Sequence, residues 1–304
     1  MMELEFRRPE LEDRELINSH LAKQFSRSCE QTFANTYLWS RHYNVVFTIV
    51  EDTLVFMKDD EEPAFTFPIG HPEGVKTAID TMMEYCEEKG IEFQMYNITE
   101  GQFAAIEEFY PGRFQIEYDR DVADYVYETE KLAILKGKKY HGKRNHINRF
   151  LEMYPNWSYE AMSEDNIEEC FQMALAWREE NECETDDEKL AEMCVTLNYL
   201  RLFKELEVVG GVLKIDGKVV AFTIGEAVCS DTLVVHIEKA FADIQGAYPM
   251  INKEFVLHEA MGKYEYVNRE EDTGSEGLRK AKLSYRPVFL VEKGVVTKKE
   301  ETEQ

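Results

Sequence analysis

One order of secondary-structure signals runs through this chain twice. In the first half, periodicity and turn chemistry predict a short strand at 4–7, a helix from Pro9, a helix at 33–39 and a hairpin of 45–50 and 53–58. A strand at 64–67 leads to a helix that starts after Pro72, where proline suits a first turn, and stops at Gly90. A strand at 91–96, a helix at 100–110 and a strand at 113–118 follow. The second half predicts a strand at 157–161, a helix capped by Ser163 and a helix at 187–205. Next comes a hairpin around Asp216-Gly217, whose sequence suits a tight turn between 208–215 and 218–227. Strand 232–240, helix 249–262, strand 264–268, a short helix at 276–282 and a last strand at 287–292 close the pattern.

Residue identity between the halves is negligible, so the repeat is one of pattern. It predicts an α/β (α+β) chain of two tandem domains, each with its own mixed sheet flanked by helices. The length of 304 residues agrees with two cores. The boundaries read 1–130, a basic linker helix at 131–155, a second domain at 156–297 and a disordered tail at 298–304.

Charge singles out the join. The chain carries a formal −25, which repels nucleic acid and anionic membrane from most of its surface. Yet residues 131–151 contain no carboxylate, and Lys131, Lys136, Lys138, Lys139, Lys143, Arg144 and Arg149 make seven positive charges. Such a segment, with Tyr140, His141, His146 and two asparagines, is either a linker docked on acidic side chains or a site for a phosphate-bearing ligand. No stretch approaches the roughly 20 apolar residues that span a bilayer, and the start lacks the apolar core of a signal peptide. The six cysteines form no CxxC pair, so reduced, buried thiols and a cytoplasmic location are expected. No HExxH or carboxylate cluster supports a metal, and no Walker A, G-x-G-x-x-G or G-x-S-x-G occurs.

Three segments could carry chemistry. The strand 232–240 reads as a covered central strand, with His236 and Glu238 expected on one face of its far end. They are either a satisfied polar pair or a general base with an acceptor-orienting partner. Next, Gly246, Ala247 and Tyr248 lie in a loop that delivers this strand to a helix start. Its free amides suit phosphate or an oxyanion, unless the loop is a plain connection. Third, the run 268–287 mixes both signs of charge and places Arg279, Lys280, Lys282 and Tyr285 before the last strand. It is a solvated salt-bridged turn or a ligand-binding edge.

The stretch 138–150, then His236 to Ala240 with 246–249 and Asn252, then 268–272 with 277–287, together resemble the phosphatidylglycerol lysyltransferase C-terminal-like family of bacterial proteins. The resemblance covers nearly the whole chain. It implies tandem GNAT-type acyltransferase domains, related to the Fem aminoacyltransferases, that pass an acyl or aminoacyl group to an amine or hydroxyl. The donor would be acyl-CoA or aminoacyl-tRNA, with no metal; the acceptor, whether small molecule, peptide or lipid headgroup, stays open. On this reading Glu238 is base or acceptor anchor, with His236 beside it, and Tyr285 is the phenol near the leaving group. Gly246, Ala247, Tyr248 and Asn252 would serve the donor. Arg279, Lys280, Lys282, Lys143, Arg144 and Arg149 would hold its phosphates. The alternative is a catalytically silent module that binds a nucleotide-bearing ligand or an RNA end.

Overall fold

The computed structural model describes residues 4–299. Its first half contains α1 (Arg14–Leu21) and α2 (Phe33–Trp39), then the hairpin β1 (Val45–Val50) and β2 (Thr53–Lys58), then β3 (Ala64–Phe65). Next come α3 (Pro72–Lys89), β4 (Gln94–Thr99), α4 (Glu100–Phe109) and the long β5 (Phe114–Glu128). Helix α3 begins with proline and ends on Gly90 at φ 67°, a left-handed backbone that glycine enters without a Cβ penalty. Two helices cover the basic segment, α5 (Thr129–Ile134) and α6 (His141–Met153).

The second half follows with β6 (Trp157–Ala161), α7 (Ile167–Glu180), α8 (Asp187–Arg201), α9 (Phe203–Leu206), β7 (Val209–Ile215), β8 (Lys218–Cys229) and β9 (Thr232–Ala240). The chain ends through α10 (Ala247–Phe255), β10 (Tyr266–Asn268), α11 (Glu276–Leu283) and β11 (Phe289–Lys298). Residues 4–7, read as a strand, contribute a single bridge from Arg7 to Phe47. Of the tail expected from 298, Lys298 pairs with Phe114 inside the sheet and Lys299 bonds to Arg113, while 300–304 lie outside the described residues.

The expectation of two separate sheets is corrected. All eleven strands form one sheet, ordered β1-β2-β3-β4-β11-β5-β10-β9-β8-β7-β6. The reason is a reciprocal exchange. β11, the last strand of the second half, lies between β4 and β5 of the first. β5, the last strand of the first half, pairs with β10 of the second. Each half thus supplies the strand that completes the other, and β5 and β11 run antiparallel along the middle. The repeat itself is visible in the pairing: β3 is parallel to β4, and β9 is parallel to β10.

Helices cover both faces, and three apolar clusters fill the layers between. One joins α1, α2, α7 and α8 across the halves, with Phe33, Tyr199 and Phe222 at its centre. A second lies under α5, α6 and α10 around Tyr127, Phe150 and Phe255. The third belongs to the first half, under α3 and α4. All six cysteines are free, and Cys29, Cys86, Cys170 and Cys183 are buried.

Candidate functional site

The parallel pair of the second half opens into a wedge. β9 and β10 pair only from Thr232 to Val234. After Asn268 the chain stays with β5, through Arg269 N–H to Tyr125 C=O at 3.0 Å and Tyr125 N–H to Glu270 C=O at 3.1 Å. Among the described residues the rest of β9 has no strand on that side, and α10 and the loop after β10 reach it instead.

A bulge decides which side chain faces the wedge. On β8, Ile224 pairs with Ile237 and Gly225 with Val235, which leaves His236 as the extra residue. The strand's alternation shifts by one there. The expectation that His236 and Glu238 share a face is therefore corrected. His236 stacks on Tyr199 of α8, ring centroids 5.5 Å apart, and lies 2.6 Å from Glu270 and 3.0 Å from Glu226. Burial disfavours its charge, but the hydrogen bonds to Glu226 and Glu270 outweigh that and raise it to about 10. At neutral pH it is a structural cation, not a base.

Glu238 faces the opposite layer. It accepts from Asn252 Nδ2 of α10 at 3.1 Å and from Arg269 Nη2 at 2.9 Å. The guanidinium stands 4.8 Å from the ring centre of Tyr285, and Lys143 Nζ of α6 stands 3.7 Å from the same point. Burial pushes the Tyr285 phenol well up, so it keeps its proton. Burial, and after it the charge of Arg269, lowers Lys143 to about 8 against the pull of Glu238. Asn252 Oδ1, Arg269 Nε and Arg269 Nη1 are buried without a protein partner. Unpaired polar atoms in such a place are costly unless something else meets them. The structure therefore brings Glu238, Tyr285, Asn252 and Lys143 into one cluster.

The remaining candidates lie elsewhere. Gly246 caps α10 at φ 87°, and a Cβ there would collide with the carbonyl of His146 and stand 2.9 Å from Phe150 Cβ. Helix α6 thus covers the loop. The Ala247 amide, expected free, donates to Ile244 C=O at 3.1 Å, and Tyr248 packs into the second cluster. Arg144 donates to the carbonyls of Leu135 and Gly137 at 2.5 and 2.7 Å. Arg279 is spent on Asp272 and Asp121, and Lys282 on the carbonyls of Arg269 and Glu271. These three cations hold the fold together. Lys280 and Arg149 are exposed, as are Lys136, Lys138 and Lys139.

Sequence reasoning passes over Arg269. It sits in a charge run read as either a solvated salt-bridged turn or a ligand-binding edge, where the cations singled out are Arg279, Lys280 and Lys282 further along. A second buried cluster is also missed, at the crossing of β5 and β11. Cys29 Sγ and the carboxylates of Asp124 and Glu271 approach within 4.8 Å of one another. Lys293 supplies the positive charge there, 2.8 Å from Asp124 and 2.6 Å from Glu30.

The first half repeats the wedge without the charges. β3 and β4 pair at Phe65 and Met95 alone, and beyond them opens a cavity of about 610 Å³. Phe25, Phe67, Phe109, Phe289, Lys23 and Arg27 are among its lining, and both cations are already paired, with Asp52 and Asp231.

A parallel pair that opens at a helix start is present twice in one mixed sheet with helices on both faces. The chain belongs to the family described as phosphatidylglycerol lysyltransferase, C-terminal, whose model matches residues 23–296.

A crystal structure of a conserved protein of unknown function from Bacteroides thetaiotaomicron VPI-5482 is 38% identical, with a TM-score of 0.91 over 98% of this chain and 100% of that one. The C-terminal domain of a putative lysylphosphatidylglycerol synthetase from Agrobacterium fabrum, 15% identical, shares the fold with a TM-score of 0.68 over 94% and 92%. An uncharacterized protein of Mycoplasmoides gallisepticum is 24% identical over 180 residues. That match covers 57% of this chain and 55% of the length of that curated relative. Among the described residues no helix is long and apolar enough to cross a membrane.

Proposed function

We propose that this protein moves an aminoacyl group from aminoacyl-tRNA to an amine or hydroxyl acceptor, with the chemistry at the open end of β9. The observation that carries the reading is the buried Glu238–Arg269 pair with three unpartnered polar atoms around it. Glu238 and Asn252 Oδ1 suit the N–H or O–H of an acceptor. The two unused N–H groups of Arg269 suit the oxyanion that develops when an acyl carbon is attacked. Tyr285, which keeps its proton, can donate to the departing oxygen.

Two observations favour tRNA over acyl-CoA as donor. The start of α10, where a pyrophosphate would rest, is covered by α6. The exposed cations Lys136, Lys138, Lys139 and Arg149 are spread along a segment, which fits an extended polyanion. The family description names a lysyl group, which is an aminoacyl group, as what is moved.

The test is donor identity. The protein purified at low salt is weighed in its native state, then given a pool of labelled aminoacyl-tRNA or acetyl-CoA. Co-purifying tRNA and enzyme-dependent loss of the aminoacyl ester support the reading. Consumption of acetyl-CoA alone replaces the donor, and consumption of neither leaves the binding module as the better account.

A further inference from the structure

We propose that Lys143, and not Glu238, takes the acceptor's proton; the proposal rests on the transfer reading above. It follows by elimination around the wedge. Both oxygens of Glu238 accept hydrogen bonds, and its charge is matched by Arg269. Arg269 stays charged at any working pH. Tyr285 is buried and its phenol is held in the neutral form. Tyr127, which also faces Arg269, donates its hydroxyl to Lys282 C=O at 2.8 Å and is likewise pushed up by burial. Lys282 gives its ammonium protons to backbone carbonyls.

Lys143 is the group left over. It enters from the first turn of α6 and lies over the Tyr285 ring, and among the described residues its Nζ has no hydrogen-bond or ion-pair partner. With Arg269 and Glu238 already balanced, a second cation in the wedge is uncompensated, and burial with the charge of Arg269 brings the ammonium down to about 8, where it yields its proton far more readily than a free lysine. On its own helix the titratable groups next in sequence are His141, Arg144 and His146, and the helix's carboxylate, Glu152, stands near its far end. A neutral amine beside an acceptor is what a general base requires.

The step balances. The acceptor's nitrogen or oxygen bonds to the acyl carbon as its proton passes to the Lys143 lone pair, giving an ammonium. The ester C–O bond then breaks, and the departing 3′ or 2′ oxygen takes that proton, directly or through Tyr285. Lys143 ends as it began, and no co-reactant is consumed.

Two measurements on the full chain test it. The first is single-turnover transfer from labelled aminoacyl-tRNA between pH 6 and 9.5, with wild type, Lys143→Arg and Lys143→Ala, the last also with added ethylamine. The wild-type rate should rise with pH and level off above about 8. Lys143→Arg, which keeps the cation over Tyr285, should lose about 10²- to 10⁴-fold, and ethylamine should restore part of the Lys143→Ala rate. Turnover by Lys143→Arg with an unchanged pH profile overturns the proposal and leaves the transfer reading standing.

The second measurement needs no turnover: competitive labelling by acetic anhydride across the same pH range, read at each lysine by mass spectrometry. Lys143 should gain reactivity near pH 8, well before a lysine in a short reference peptide, whose ordinary value is about 10.4. Titration together with that reference lysine overturns the proposal even where wild-type transfer is observed. Absent wild-type transfer overturns the reading, and this proposal with it.

Discussion

Arg269 and Glu238 bridge two strands that have stopped pairing. The guanidinium leaves the end of β10 and meets the carboxylate of β9 at 2.9 Å, across the gap where no backbone ladder runs. Both side chains are 12% exposed, so each offsets the cost of burying the other's charge inside the layer.

Removing one partner should therefore cost stability as well as turnover. Glu238→Ala leaves Arg269 buried and unmatched, and should lower unfolding free energy by about 3–5 kcal/mol in urea titration. Glu238→Gln keeps an acceptor for Nη2 and fills the same volume, so it should fold nearly normally. A Glu238→Ala protein as stable as wild type would show that water reaches the pair.

His236 should make stability fall at high pH. Its folded value, about 10, lies above the roughly 6.5 of a free histidine. The contribution is then fully present below about 6.5 and is lost as pH rises through about 10. Urea midpoints from pH 6 to 10.5 should decline for wild type and stay flatter for His236→Gln. Parallel curves would assign the decline to other groups.

Gly246→Ala should be disruptive out of proportion to one methyl. The left-handed backbone at φ 87° costs a non-glycine residue about 1–2 kcal/mol before any contact is counted. The added Cβ also meets the His146 carbonyl and Phe150. Calorimetry should show a lower melting temperature, whereas Gly142→Ala, where nothing lies within 4 Å, should change little.

Donor binding should depend on the exposed part of the basic segment alone. Lys138→Ala with Lys139→Ala and Arg149→Ala should weaken tRNA binding and reduce its salt slope by about 0.7–0.9 for each phosphate no longer neutralised. Arg144→Ala should instead destabilise the protein, because its partners are the carbonyls of Leu135 and Gly137. Equal effects on binding from both variants would contradict the division.

Local structure is legible wherever the code is local. The α3 bounds follow from Pro72 and Gly90, and β9 from its apolar run. Glu238, Tyr285 and Asn252 are found as members of one site, yet the strand reading of β5 stops at Tyr118, before the charged stretch from Asp119 to Asp121. Three features have no local signal. The exchange of β5 and β11 depends on pairing between residues more than 160 apart, such as Phe114 with Lys298. The bulge at His236 is set by the register with β8. Lys143 stands among six similar cations, and only α6 packing on Tyr285 separates it from them.

The central claim is that acyl transfer takes place in the β9 wedge, and single-turnover transfer from labelled aminoacyl-tRNA tests it most directly. Wild type is compared with Glu238→Gln, Tyr285→Phe and Arg269→Lys, with donor affinity measured alongside. The account predicts that each variant binds donor nearly as tightly and transfers more slowly. The loss is about 10²- to 10³-fold where an oxyanion donor or acceptor anchor is removed. It is about 10²- to 10⁴-fold for Tyr285→Phe, which loses a proton donor. Near-wild-type rates in all three would contradict it and place the chemistry outside the wedge.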